Sequence, residues 1–374
     1  MRRFLIASCV ALVCASAAAD PPKGPSERQQ VVEALAKVLA DDYVDPKIGA
    51  QYAAKLRADA KATNYEGQPD FEFANTVVRS LQAVHPDNHL RMRAPDPAPG
   101  QPGPRVVQGP GPGGDAKAIE AAERLTPKIA YIRFNLFPGD PDTMAQLEKF
   151  IADNAGVETL IIDARGHRGG EVGEIDALFS DLFTRPVDLV QMEIAKAITK
   201  DHPDMLGDGP TMRRVSAPAN LVRMQHFVKP NAKPRLANTR LYVLQSRFTG
   251  SAAEHLVFEV KMSGRGKLVG ETTNGANHFG FPFELPAGYS VFVPAGRTFD
   301  PKTGKDWEGT GVAPDISAPA DRALVTALTD AGVGATEAEA INTRINYTPP
   351  KPRPPGAGPV IVKGPDAPAG PPPG

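Results

Sequence analysis

The sequence predicts an α/β fold preceded by a small helical domain, and three observations carry that prediction. Apolar stripes at helical spacing fill residues 26–90. From Lys128 to Leu182 strand-like runs alternate with helical ones, the pattern of a largely parallel sheet. A third stretch, Leu241–Asn277, reads strand, turn, helix, strand. Proline and glycine are abundant, 39 and 35 in 374 residues, and they concentrate in two stretches, 94–114 and 348–374, that suit neither helix nor sheet.

Those stretches divide the chain. The reading places a helical domain over 20–93, a Pro/Gly-rich linker over 94–117, an α/β core over 118–345 and a disordered Pro-rich tail over 346–374. Ahead of them, MRRFLIASCVALVCASAAAD has two arginines, a short apolar run and small residues at Ala17 and Ala19. It reads as a secretory signal peptide over 1–19. Both cysteines, Cys9 and Cys14, fall inside it, so a mature chain would hold neither disulfides nor a catalytic thiol. The expected destination is the periplasm or the exterior. A net charge of -1 provides no field for nucleic acid or an anionic membrane.

In chain order, Val31, Leu35, Val38 and Leu39 form the first helical stripe, which ends near Val44-Asp-Pro46. Ile48, Tyr52 and Leu56 form the second. Asp70 is expected to cap a third helix carrying Phe73, Val77, Leu81 and Val84. Lys128–Phe137 and Thr159–Ala164 read as strands, separated by a helix over 142–155 and followed by the turn Arg165-Gly-His-Arg-Gly169-Gly170. Residues 186–240 have no clear pattern. Beyond Thr272 the chain is rich in strand signals, and a last helix is expected near Arg322–Ala331.

The chemistry concentrates at Ser251. A serine at a helix amino terminus meets unsatisfied N–H groups and a partial positive charge, and the next amide, of Ala252, is free to bind an oxyanion. Ser251-Ala-Ala-Glu254 is equally a capping box, a purely structural device. Nothing local decides between the two.

Four ordered segments supply more. They are Asp87-Asn-His89-Leu90; Asp163-Ala-Arg165-Gly-His-Arg-Gly169-Gly170; Phe248-Thr-Gly-Ser251-Ala-Ala-Glu254 with Val269-Gly-Glu-Thr272; and Trp307-Glu308-Gly with Gly311-Val312 and Pro314-Asp315. Over 26–92 and 128–318 the chain thereby resembles the tail-specific, or carboxyl-terminal processing, serine proteases. The likeness is greatest to their interphotoreceptor retinoid-binding-protein-like branch, with a core similar to tricorn protease. The resemblance implies a crotonase- or ClpP-like βαβ spiral behind the helical domain. Ala276 stands where Ser/Lys members carry their lysine, and the linker occupies the place of the usual PDZ domain. Both departures point to a histidine-using site.

On that resemblance Ser251 is the nucleophile, His89 the base, Glu308 its orienting acid and Asn88 a polar helper. Gly169 and Gly170 would join Ala252 in the oxyanion hole, although His167 and Arg168 replace the Asn and Gly usual in that loop. His278 is a competing base and Lys267 a distant one. His202, His226 and His255 show no metal-ligand spacing, so neither metal nor cofactor is expected. The expected activity is peptide hydrolysis through an acyl-enzyme. The alternative is a non-catalytic binding protein for apolar ligands or peptides on the same scaffold.

Overall fold

The computed structural model describes residues 26–95, 117–201 and 206–350. The expected signal peptide, most of the linker, His202 and nearly all of the Pro-rich tail lie outside these described residues.

Helices α1 (Glu27–Asp42), α2 (Pro46–Ala62) and α3 (Asp70–Gln82) open the chain. Ser26 and Gln29 close a capping box on α1, and Asp45 caps α2, whose first residue is Pro46. The expected cap on α3 is corrected. Pro69 holds the cap position and Asp70 is the first helical residue; its carboxylate accepts from Arg28 at 2.5 Å and from the Tyr289 hydroxyl at 2.7 Å.

Two strands follow, β1 (Arg91–Arg93) and β2 (Ile119–Thr126). Then come β3 (Ile129–Phe134), α4 (Pro141–Asp153), β4 (Thr159–Asp163) and α5 (Gly173–Leu182). The patternless region holds β5 (Asp188–Ala195), α6 (Ile198–Asp201), β6 (Met212–Arg214) and β7 (Leu221–Phe227). The last third contains β8 (Arg240–Gln245), α7 (Ala252–Ser263), β9 (Lys267–Gly270), β10 (Phe279–Glu284), β11 (Ser290–Phe299), β12 (Ile316–Ser317), α8 (Ala323–Asp330) and α9 (Ala335–Ile345).

Two sheets organise these elements. One runs β12-β9-β8-β4-β3-β2, parallel throughout except for the β2/β3 hairpin at its edge. Its strands β4 and β8 are buried almost end to end, as expected of a sheet covered on both faces. Leu147, Ile151, Leu178, Leu256 and Val260 pack on one face; Ala323, Leu324, Leu328 and Ile341 pack on the other. The second sheet, β1-β11-β5-β7-β6 with β10 also on β11, is antiparallel. The three amino-terminal helices bury their stripes against Leu285, Tyr289, Val291 and Val293, around β11 of this sheet. Mixed α/β architecture with amino-terminal helices is therefore present. Among the described residues no helix is long and apolar enough to cross a membrane.

Candidate active site

The carboxyl ends of β4 and β8 lie side by side in register, Asp163 opposite Leu244. In an open parallel sheet ligands bind beyond such ends, and here each strand runs into a loop that the other loop holds. The Thr249 hydroxyl donates to the Ala164 carbonyl at 2.7 Å, and the Ser246 hydroxyl to that of Arg165 at 2.6 Å. The Gly250 amide donates to the His167 carbonyl at 3.1 Å. Asp163 and Arg165 form a fully buried ion pair at 2.6 Å, which fixes the base of the first loop. Arg165 also lies under the Tyr347 ring, 3.8 Å from its centroid.

Ser251 sits where β8 turns into α7, at φ 58° and ψ −127°. A non-glycine residue in such a conformation is strained, and surroundings must hold it. Glu254 does so. Its buried carboxylate accepts the Ser251 amide at 3.0 Å, the Gly275 amide at 2.7 Å, the Ala276 amide at 2.8 Å and the Thr273 hydroxyl at 2.6 Å. Burial pushes its pKa up to about 7 against those donors. The Glu254 half of the predicted capping box is thus present, but the carboxylate also ties the Ser251 turn to the 273–276 loop. That wider role left no sign in the local sequence.

The glycine loop approaches closely. A side chain on Gly169 would meet the Ser251 Cβ at 2.6 Å, and one on Gly170 would meet the Phe137 carbonyl oxygen at 1.9 Å. The Gly169 amide is occupied, donating to His167 Nδ1 at 3.0 Å. Among the described residues the amides of Gly170 and Ala252 make no hydrogen bond. Two of the three expected oxyanion donors are therefore free. His167 itself is buried against Phe137, with ring centroids 4.0 Å apart, and burial drives its pKa down to about 3.

The histidines divide differently from expectation. Asp87 is the hub: Oδ1 accepts the amides of His89 at 2.8 Å and Leu90 at 3.2 Å. Its Oδ2 takes the Tyr43 hydroxyl at 2.7 Å and His278 Nδ1 at 2.9 Å. His278 gains a charged neighbour and its pKa rises despite burial, while that of Asp87 falls to about 2. The expected His89–Glu308 hydrogen bond is not formed. Glu308 accepts the amides of Asn277 at 2.7 Å and His278 at 3.0 Å, and its carboxylate lies 3.7 Å from His278 Nδ1. The reason is connectivity: Glu308 and His278 belong to loops that pack together, whereas His89 leads into β1.

His89 has no hydrogen bond on its ring among the described residues; Nδ1 is buried, and the ring leans on Phe292. Burial lowers its pKa to about 4, opposed by the Asp87 charge. Asn88 donates to the carbonyls of Asn274 at 3.3 Å and Gly275 at 3.4 Å, joining the histidine segment to the loop that Glu254 anchors. No hydrogen bond links Ser251 to His89. A cleft of about 850 Å³, lined by Val44, His85, Glu193, Arg297 and Asp306 among others, opens onto His278 and Glu308.

A strained serine at a helix amino terminus beside free backbone amides, with a histidine–carboxylate cluster elsewhere in the fold, is compatible with serine hydrolase chemistry. The chain belongs to peptidase family S41, whose model matches residues 128–318, and so is a serine-type peptidase acting on a protein substrate. Among solved structures it is similar to a putative peptidase from Parabacteroides merdae ATCC 43184, at 18% identity and TM-score 0.56, over 86% of this chain and 98% of that one. Tricorn protease is similar at 14% identity and TM-score 0.50, over 86% of this chain and 37% of its own. The photosystem II D1 C-terminal processing protease aligns at 19% identity and TM-score 0.49, over 79% and 94%.

Proposed function

We propose that this peptidase is an exported endopeptidase of the tail-specific type, working through Ser251 and His89 on a crotonase- or ClpP-like spiral core. The carrying observation is the strained turn at Ser251, beside the free amide of Ala252. Ser251 Oγ attacks the scissile carbonyl carbon while its proton passes to His89 Nε2, since Nδ1 is buried. The amides of Ala252 and Gly170 receive the oxyanion. Collapse breaks the C–N bond, His89 protonates the leaving amine, and water deacylates Ser251 by the reverse proton path.

In this reading Asp87, not Glu308, is the carboxylate nearest in effect to the His89 imidazolium. Glu308 holds the 277–278 backbone and, through His278, the Asp87 side chain. Asn88 sets the distance between the histidine segment and the nucleophile's loop. Export rests on the leader-like segment 1–19 and is checked by amino-terminal sequencing of the mature protein after expression in a bacterial host.

The testing experiment is labelling with a fluorophosphonate, mapped by mass spectrometry, beside folded Ser251→Ala and His89→Ala variants. An adduct on Ser251 that both variants lose is expected, with peptide cleavage falling roughly 10⁴- to 10⁶-fold in Ser251→Ala. Peptide cleavage undiminished in Ser251→Ala would sink the reading. The occupied Gly169 amide favours one second reading, binding without cleavage. Wild-type protein that takes no label but retains a peptide or apolar ligand would support it.

A further inference from the structure

Helix α7, which begins beside Ser251, carries a second group of chemistry-bearing side chains that the peptidase reaction does not use. His255 and Glu259 stand one helical turn apart, and His226 meets them from β7; their exposures are 3%, 0% and 0%. His226 Nδ1 lies 2.6 Å from Glu259 Oε1 and 3.2 Å from His255 Nε2, and His255 Nε2 lies 3.0 Å from Glu259 Oε1. The other ring nitrogen of His226 is 2.8 Å from Asp176 Oδ1 on α5, whose second oxygen accepts from the Thr211 hydroxyl at 2.7 Å. Glu259 Oε2 is buried without a hydrogen-bond partner.

We infer that His226, His255 and Glu259 form a structural metal site, and that zinc is the ion their chemistry fits. Tetrahedral zinc, bound at about 2.0–2.1 Å, spaces its ligand atoms roughly 3.3 Å apart; the His255 separations of 3.2 and 3.0 Å approach this, and the 2.6 Å between His226 and Glu259 would open on binding. Two imidazole nitrogens and one carboxylate suit zinc better than the oxygen-seeking calcium or magnesium. Asp176 occupies the outer nitrogen of His226, the place of the carboxylate that orients a ligating histidine. Glu259 Oε2, buried without a partner, would face the ion as the second oxygen of the same carboxylate, and the fourth tetrahedral position would be left to water.

Protons alone account for less. With both ring nitrogens of His226 and Nε2 of His255 protonated, hydrogen bonds reach Glu259 Oε1 and Asp176, but Glu259 Oε2 stays bare. The ion would fasten α7 to β7 and, through Asp176, to α5. The described residues contain no cysteine to make such a staple otherwise. Sequence spacing hid the site because His226 lies 29 residues before His255.

The test is to strip purified protein with a chelator, dialyse it, and titrate it with Zn²⁺ alone, then with Co²⁺ in parallel. Expected are one metal per chain by elemental analysis, a rise in melting temperature, and the intense visible bands of tetrahedral cobalt. Binding should vanish in His226→Ala and His255→Ala and weaken about 10- to 100-fold in Asp176→Asn. It should persist in His278→Ala, which removes the other close set of donors, Asp87, His278 and Glu308. Glu259→Gln, nearly isosteric, covers the case in which a histidine variant fails to fold, and should bind weakly or not at all. Folded wild type that takes up no stoichiometric metal and shows no thermal shift overturns the site. So does binding unchanged in His255→Ala and Glu259→Gln, or abolished only by His278→Ala.

Discussion

Ser251 occupies a backbone conformation that costs a residue with a side chain about 1–3 kcal/mol, and Glu254 offsets this by accepting its amide. In the proposed reaction the serine needs a neutral base, and His89 and His278 make opposite demands on pH. Burial holds His89 near pKa 4, whereas the Asp87 charge holds His278 above its ordinary 6.5. A base must be unprotonated, so activity falls as pH drops through its pKa. With His89 as base, the acid limb of kcat/KM lies well below pH 6.5, at about 4; with His278 it would lie above 6.5. A measured limb above 6.5, retained in His89→Ala and lost in His278→Ala, would transfer the role to His278. Ser251 and His89 could be proposed from sequence because each lies in a short local motif. The Asp87–His278 pair was not, since 191 residues separate its members and no local pattern reports that closure.

At the scale of elements, the loop from β4 to α5 works as a clamp. The Phe137 amide donates to the Gly169 carbonyl at 2.9 Å and the Glu171 amide to the Phe137 carbonyl at 2.7 Å, leaving the Gly170 amide free. Gly170 stands at φ 129°, outside the range open to a side chain, and its Cβ would collide with backbone rather than with a movable side chain. Gly170→Ala should therefore cost at least about 1–3 kcal/mol and abolish labelling of Ser251. A methyl group on Gly173, three residues on at the start of α5, would meet nothing within 4 Å, and Gly173→Ala should leave both stability and labelling near wild type. Equal behaviour of the two variants in thermal melts would contradict the clamp. The glycine pair was visible in sequence as a close-approach signal, as were the strands and helices flanking it. The role of His167 was not, because a histidine's choice between solvent and a backbone amide depends on Phe137 packing over it.

Over the whole molecule, the helical part and the peptidase core were expected as separate domains divided near residue 93, and a composition break is a fair sign of such a division. From the packing we propose instead a single cooperative unit. Leu285, Tyr289, Val291 and Val293 complete the core of α1–α3, β1 pairs with β11 across the chain, and the Val44 amide donates to the Pro294 carbonyl at 2.9 Å. Pairings between residues some two hundred positions apart leave no mark on local periodicity, which is why they were not legible in the sequence. An apolar cluster that needs both ends of the chain cannot hold with one end removed. Residues 26–95 alone should stay unfolded, and the intact chain should unfold in one step. Urea melts followed by Trp307 fluorescence, which reports the core beneath α7, and by far-UV circular dichroism, which includes α1–α3, should share a midpoint. Tyr289→Ala, deleting a buried ring that packs on Phe73 and bonds Asp70, should lower stability by about 3–5 kcal/mol and shift both signals together. Two resolved midpoints, with only the dichroism responding to Tyr289→Ala, would restore the two-domain description. His89 would then be carried by an element free to move against Ser251, and the rate of labelling would fall with the first transition instead of the second.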